Sequence, residues 1–502
     1  MIRNQILVLV CAAVAWPAAA QADVVTDWNS TIRNVIQSDG TQLVNKANPG
    51  WSTRAIAMMN GAIYDVFQAK VRTHAPFLVN TSALPDASLE AAVNQAAYDV
   101  LANTYPGESG VWQSDYNTRM GLIPNDVNKT NGMMLGSQVA QAYIANRSSD
   151  HSGDIVPYTP GIDPGEWRPD PYHPGQNAWG PEWKSVHPFA IPNTSSFVGA
   201  LTPPPSMTTV AYADALNQVE NYGALDVYGP ADTPTSRNAE QTEIGLFWGY
   251  DRATMGPPPV LFVRNLEDVS AAVGNSAADN ARMFAMASVA MADAAIAAWD
   301  AKFQYNYWRP VAAILEADTD GNPGTTKDPD WRPLGAPGGS PGDSSDDFTP
   351  PFPAWTSGHA TMGGAVFKAL EDFYGTNDFG TADFNIGDDL VTGTYTLTSQ
   401  EFDANGAPGM SRDFNTFTLT QPLDVGVEVL DDSPEGENGI SRIYLGIHWL
   451  FDQQDGIALG NNIANYVAAN RFQAVPEPSA FALAFAAVFG NAMVARRRKI
   501  VR

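Results

Sequence analysis

Residues 277–302 read AADNARMFAMASVAMADAAIAAWDAK, a run with no internal glycine or proline. Alanine costs a helix no side-chain entropy and methionine little, so this stretch predicts the longest helix of the chain. Earlier, apolar residues recur at three- and four-residue steps in Ile56, Met59, Ile63, Val66 and Phe67, and again in Leu89, Val93, Ala96, Ala97, Val100 and Leu101. That period predicts helices over most of 51–147, with Pro85-Asp86 and Pro124-Asn125 as their starts. Further helical patterns cover 211–225, 236–248, 360–374 and roughly 457–472. Two segments, 151–205 and 318–353, are dense in Pro, Gly and aromatic or acidic residues and lack periodicity, which marks long ordered loops. The alternating Thr/Leu text between Leu390 and Leu423 could form a hairpin, and no internal repeat is evident. The expected fold is all-α: two packed helical bundles with long Pro/Gly-rich loops and a small β-hairpin addition.

The chain has 502 residues, 44% of them hydrophobic, which is enough for a large core and excludes global disorder. With 28 Lys+Arg against 54 Asp+Glu, the net charge is -26. A nucleic-acid partner is therefore not expected. Both ends read as processing signals. Arg3, the apolar run from Ile6 to Val14 and the small-residue site before Asp23 have the order of a secretory signal peptide over 1–22, and Cys11, the single cysteine, falls within it. A mature chain starting at Asp23 would then have neither disulfides nor thiolate metal sites. At the other end Pro476-Glu477-Pro478, an apolar stretch to Ala495 and Arg496-Arg497-Arg498-Lys499 resemble a PEP-CTERM sorting signal over 475–502. That resemblance implies a bacterial protein, processed by an exosortase-type enzyme, with only transient membrane association and a cell-surface or extracellular destination. Between the ends we expect an N-terminal helical region with its Pro-rich wrapping segment over 23–207, and a domain carrying the chemistry over 208–474.

Three places supply cations or histidines in a chain that is poor in basic residues and holds only 6 His. The first is Lys302, Arg309 and Pro310. Seven residues on a helix return to within roughly 20° of the same direction, so both cations could face one pocket, or equally one solvated face. The second is Thr356-Ser357-Gly358-His359, directly before a predicted helix. Helix N-terminal amides, a small Gly and a Ser hydroxyl suit an oxyanion, and an ordinary N-cap would read the same way. The third is Ser441-Arg442, then His448 and Asp452. Four residues apart on a helix, the carboxylate could fix one imidazole nitrogen and aim the other; a solvated His/Asp pair has the same spacing.

Taken together, Lys-x6-Arg-Pro, Ser-Gly-His and Ser-Arg-x5-His-x3-Asp are similar to the three-part signature of type 2 phosphatidic acid phosphatases and vanadium-dependent haloperoxidases. Pro350-Pro351-Phe352-Pro353-Ala354-Trp355-Thr356-Ser357-Gly358-His359 resembles the chloroperoxidase-type enzymes, except that Thr356 stands where the motif has proline. The resemblance implies that Lys302, Arg309, Ser357, the Gly358 amide and Arg442 bind vanadate oxygens. His448 would ligate vanadium, His359 would handle protons, and Asp452 would support His448. Trp299 and Phe352 would line the site, and Asp251 would pair with a site arginine. The implied cofactor is vanadate, and the implied activity is oxidation of a halide by hydrogen peroxide. An exported acid phosphatase using the same residues is the alternative enzyme, and a non-catalytic surface or matrix protein the alternative of another class. Asp318, Asp320 and Asn322 alternate like a calcium loop, but Pro323 and Pro329 occupy positions an EF-hand needs for Gly and Glu, so they read as turn residues.

Overall fold

The computed structural model describes residues 23–40, 48–175, 177–225, 235–250, 255–335, 349–379, 394–399, 409–424 and 433–475. The first bundle contains α1 (Val24–Gly40), α2 (Pro49–Val71), α3 (Leu89–Thr104), α4 (Ser109–Leu122) and α5 (Val127–Asn146). After a long wrapping segment come α6 (Ser195–Val198), α7 (Val210–Tyr222), α8 (Ala239–Phe247) and α9 (Pro258–Val273). The second bundle contains α10 (Ala277–Tyr305), α11 (Pro310–Leu315), α12 (Gly358–Tyr374), α13 (Pro434–Tyr444) and α14 (Leu450–Asn470). Strands β1 (Tyr395–Thr398) and β2 (Ser411–Phe414) pair antiparallel with Tyr395 opposite Phe414, the hairpin the alternation suggested. The all-α expectation holds.

The helix starts are set by caps rather than by the prolines that precede them. Ser88 accepts the Ala91 amide and Asp126 the Lys129 amide, so α3 and α5 begin a few residues beyond Pro85 and Pro124. Among the longer helices, α1, α9 and α13 lie outside the segments expected to be helical, although each is amphipathic. α10 is the joint of the molecule, packing on α2 of the first bundle and on α12 and α14 of the second. It is apolar enough to cross a bilayer by composition, yet 94% of its apolar window is buried inside the protein. Its Ala and Met surface therefore serves close helix packing on several sides.

Buried carboxylates tie the loops to these helices. Asp293 on α10 accepts the consecutive amides of Phe189, Ala190 and Ile191 at 2.5, 2.8 and 2.9 Å. Asp65 on α2 does the same for Phe77, Leu78 and Val79 at 2.6, 2.9 and 2.8 Å, and also accepts the Tyr143 hydroxyl. Burial pushes the Asp293 carboxyl up to about 6 against the pull of those three amides.

The approach of α12 to α14 brings the second and third motifs together, and glycine permits it. A Cβ at Gly460 would lie 2.2 Å from the Thr361 carbonyl oxygen and 2.7 Å from the Ala365 nitrogen. Neither backbone atom can step aside, so Gly460→Ala must separate the two helices. We expect it to lower unfolding free energy by about 3 kcal/mol in a denaturant titration. Wild-type stability in Gly460→Ala would show that the helices are not closely apposed.

Candidate active site

Lys302 sits in the last turn of α10 at 0% exposure, and its ammonium donates to the carbonyls of Pro353 and Ala354, both at 2.9 Å. The single helical face expected for Lys302 and Arg309 is not what brings them together. Asn306 adopts a left-handed conformation (φ 51) that ends α10, and Arg309 is the N-cap of α11 with Pro310 as its first residue. Pro310 thus begins an element, as its fixed φ and missing N–H favour, and does not end one. Arg309 nevertheless reaches the same loop as Lys302, donating through Nε to the Phe352 carbonyl at 2.9 Å and through Nη1 to Ile447 O at 2.8 Å. Both cations lie over the Phe352 ring, at 5.0 and 4.9 Å from its centroid.

Ser357 caps α12, its Oγ accepting the Ala360 amide at 3.3 Å, while its own N–H donates to Asp452 O at 3.1 Å. Gly358 is the first residue of the helix, so its amide has no intrahelical acceptor. Thr356, in place of the motif proline, is fully buried and its hydroxyl meets that of Thr361 at 3.2 Å. The preceding Trp355 is anchored by its indole N–H on Asp455 at 2.8 Å. Packing and hydrogen bonds hold this turn where a proline ring would have held it.

Arg442, in the last turn of α13, donates through Nη1 to the Trp248 carbonyl at 2.8 Å. The same carbonyl is a hydrogen-bond partner of the His359 imidazole. Beyond α13 the chain reverses at Gly446, whose φ of 73 and contact with Gly223 exclude a side chain, and this delivers His448 to the pocket.

His448 and Asp452 do not share a helical face, because α14 starts between them. Trp449 is its N-cap, and Asp452 at the third helical position turns back to accept the Trp449 amide at 3.3 Å and His448 Nδ1 at 2.7 Å. Arg309 Nη1 lies 2.8 Å from His448 Nε2. A guanidinium can only donate, so Nε2 presents its lone pair and the ring proton resides on Nδ1, facing Asp452. Burial, then the nearby Arg309, Lys302 and Arg442 charges, hold His448 well below the usual imidazole range. His359 is lowered in the same way, by burial and then chiefly by Arg442. Burial pushes Asp452 up, with Lys302 and Arg309 opposing it.

Gly358, His359, Arg442 and His448 line one narrow cleft together with Trp299, Phe352, Met362 and Ile447, and Lys302 and Arg309 lie against its Phe352 ring. Pro49 and Pro258, the first residues of α2 and α9, complete the rim, so the N-terminal ends of α2, α9 and α12 all border it. Asp251 lies outside the described residues. Tyr305 lies edge-on to Trp355, and Trp308 is fully buried. Asp320 and Asn322 form a side-chain turn, with the Asn322 amide on Asp320 at 2.7 Å. Sequence reasoning missed two contributors. The Trp248 carbonyl has no side-chain signature at all, and Asn438, fully buried, donates to His359 O at 2.9 Å. Its spacing of four from Arg442 on one helix was the available signal.

Residues 282–476 match the family model of the second helical-bundle domain of VCPO. The chain is 29% identical over 484 residues to the vanadium chloroperoxidase of Curvularia inaequalis, covering 80% of this chain and 74% of that protein. Among solved structures, a bacterial vanadium-dependent iodoperoxidase aligns with TM-score 0.65 at 20% identity, covering 90% of this chain and 97% of the other. The apo form of a bacterial vanadium-dependent chloroperoxidase aligns with TM-score 0.58 at 14% identity, covering 84% and 93%.

The two depressed imidazoles make anion binding a proton-linked event. A tetrahedral dianion in the pocket offsets the Lys302, Arg309 and Arg442 charges and so raises both histidine pKa values above their free-state positions. Between the free and bound pKa values the complex carries protons that the free protein lacks, so affinity falls as pH rises through that window. Sulfate, which does not itself titrate near neutrality, isolates the effect. Calorimetry in buffers of different ionisation enthalpy should register net proton uptake on sulfate binding, and binding without uptake at every pH from the ordinary imidazole range downward would contradict the electrostatic account.

Proposed function

We propose that this vanadium-haloperoxidase-like chain is a vanadium-dependent haloperoxidase, using hydrogen peroxide to oxidise a halide at a His448-ligated vanadate. The observation that carries the reading is one buried constellation: three cations around an imidazole whose Nδ1 is held by Asp452 and whose Nε2 lone pair accepts from Arg309, the cation that an incoming oxyanion would draw to itself. That donor set fits vanadate. Lys302, Arg309 and Arg442 match the charge of a tetrahedral oxyanion, the Ser357 hydroxyl and Gly358 amide offer hydrogen bonds, and Nε2 offers the ligand. When bound, vanadate supplies a Lewis-acidic centre that activates hydrogen peroxide for two-electron oxidation without changing its own oxidation state.

The chain's own groups do the rest. His359, kept neutral by burial and by Arg442, can accept a proton from incoming hydrogen peroxide, and Trp248 O holds its ring in place. Asp452 prevents the His448 ring from rotating Nε2 out of the pocket. Trp299 and Phe352 shield the cations from water, which strengthens their hold on an anion.

We expect purified protein loaded with orthovanadate to oxidise bromide or iodide in the presence of hydrogen peroxide, with phosphate competing for the site. His448→Ala should abolish tight vanadate binding, whereas His359→Ala should retain binding and lose turnover by about 10²-fold or more. Phosphate-ester hydrolysis that vanadate inhibits, without halide oxidation, would assign an acid phosphatase instead.

We further propose that the protein is made by a bacterium, exported, and released to the cell surface or medium after removal of both ends. Residues 1–22 and 476–502, which carry those signals, lie outside the described residues. What supports the reading is where the folded body closes. The Val475 amide pairs with Thr73 O at 2.9 Å and Ala474 bridges to His74, so the body is tied off immediately before Pro476-Glu477-Pro478. Mass spectrometry of the protein from its host should find a mature C-terminus lacking Arg496 to Arg498. An intact basic tail in the membrane fraction would mean a retained anchor.

A further inference from the structure

A second cleft, of ≈ 290 Å³, opens where the two bundles and the wrapping segment meet. Its walls include Phe77, Tyr143, Asn146, Arg147, His187 and Arg471. The volume is at the lower end of the range for small-molecule sites and suits a small ligand. Along α10, Asp293 beneath this cleft lies nine residues before Lys302, about 13 Å of helix, so the cleft is separate from the oxyanion pocket.

Two properties of the cleft point to a ligand class. The first is charge. In a chain with 54 acidic and 28 basic residues, the lining holds two arginines and a histidine and no carboxylate. Arg147 is committed to neighbours: it donates to Asp150 and to the carbonyls of His187 and Pro188, and lies over the Phe189 ring at 3.9 Å. Arg471 is exposed, and its hydrogen bond to Ala190 O is a long 3.5 Å. Its guanidinium can therefore turn to an incoming carboxylate and grip both oxygens. The second property is shape. Phe77 is stacked on Phe472 with 2° between the rings, and the Arg471 guanidinium lies over the Phe77 ring 6.0 Å from its centroid, so a guanidinium that turns to a carboxylate frees that ring for an aromatic group attached to it. The loops carrying Phe77 and Phe189 are those clamped by Asp65 and Asp293, so these walls are fixed before any ligand arrives.

We propose that this cleft binds a small aromatic carboxylate, its ring against Phe77 and its carboxylate on Arg471. The site does not depend on the reaction at His448, and its occupancy is readable without turnover.

The test is a calorimetric titration of the full chain with salicylate, with and without saturating orthovanadate, beside neutral salicylamide. We expect saturable salicylate binding that vanadate does not displace, and far weaker binding of salicylamide. Arg471→Ala should weaken salicylate by about tenfold, the worth of one charge-assisted pair, while vanadate binding stays unchanged. Should Arg471→Ala fold poorly, Arg471→Gln removes the charge and keeps a polar side chain. Unchanged salicylate affinity in the folded variant, equal binding of salicylamide, displacement by vanadate, or no saturable binding would each overturn the assignment. Displacement by vanadate would place the carboxylate in the oxyanion pocket, and loss of vanadate binding in wild type would count against the haloperoxidase reading alone.

Discussion

Three buried cations gathered around one imidazole are the constraint around which the second bundle is organised. Like charges out of water repel one another and lose their hydration, so each must be held by groups that cannot retreat. Backbone carbonyls fill much of that role. Phe352, Pro353 and Ala354 receive Arg309 and Lys302, Ile447 receives Arg309, and Trp248 receives Arg442. These carbonyls come from the Pro-rich loop before α12, the turn after α13 and the segment after α8. The irregular segments that carry these carbonyls are thus partners of the charges.

The close helix packing serves the same end. Without side chains at Gly460 and Gly446, α12 approaches α14 and the turn after α13 folds back on Gly223. This places the Ser357 N-cap against the Asp452 carbonyl and so locks the start of one motif to the heart of another. The amide of Ser357 is therefore hydrogen-bonded to the residue that holds His448 Nδ1, and neither can shift alone.

Much of this was legible in the sequence, and what was not has physical reasons. Lys302, Arg309, Ser357, Gly358, His359, Arg442, His448 and Asp452 were all readable, because chemistry needs those side chains and their order along the chain is informative. The geometric arguments for two of the pairs were wrong even though the pairs form. Periodicity assumes that the helix continues, and Asn306 and Trp449 end or begin helices inside the intervals. Backbone acceptors such as Trp248 O were invisible, since every residue has a carbonyl and only tertiary structure selects one. The loop clamps were hidden differently. Asp65 and Asp293 sit within strongly helical text where an acidic residue reads as surface, and both are fully buried.

The contrast between the acidic chain and its cationic pocket has a consequence for how anions arrive. At the ionic strength of a dilute buffer, a molecule of net charge -26 surrounds itself with a repulsive shell that halide and oxyanion must cross before they sense the buried cations. Dissolved salt collapses that shell to a Debye length of about 8 Å at physiological strength, while the pocket, walled by Trp299 and Phe352, is screened far less. A brine is therefore both the source of a halide and the medium that opens the approach to it, and the acidic exterior is least obstructive in the salty surroundings where halide is abundant.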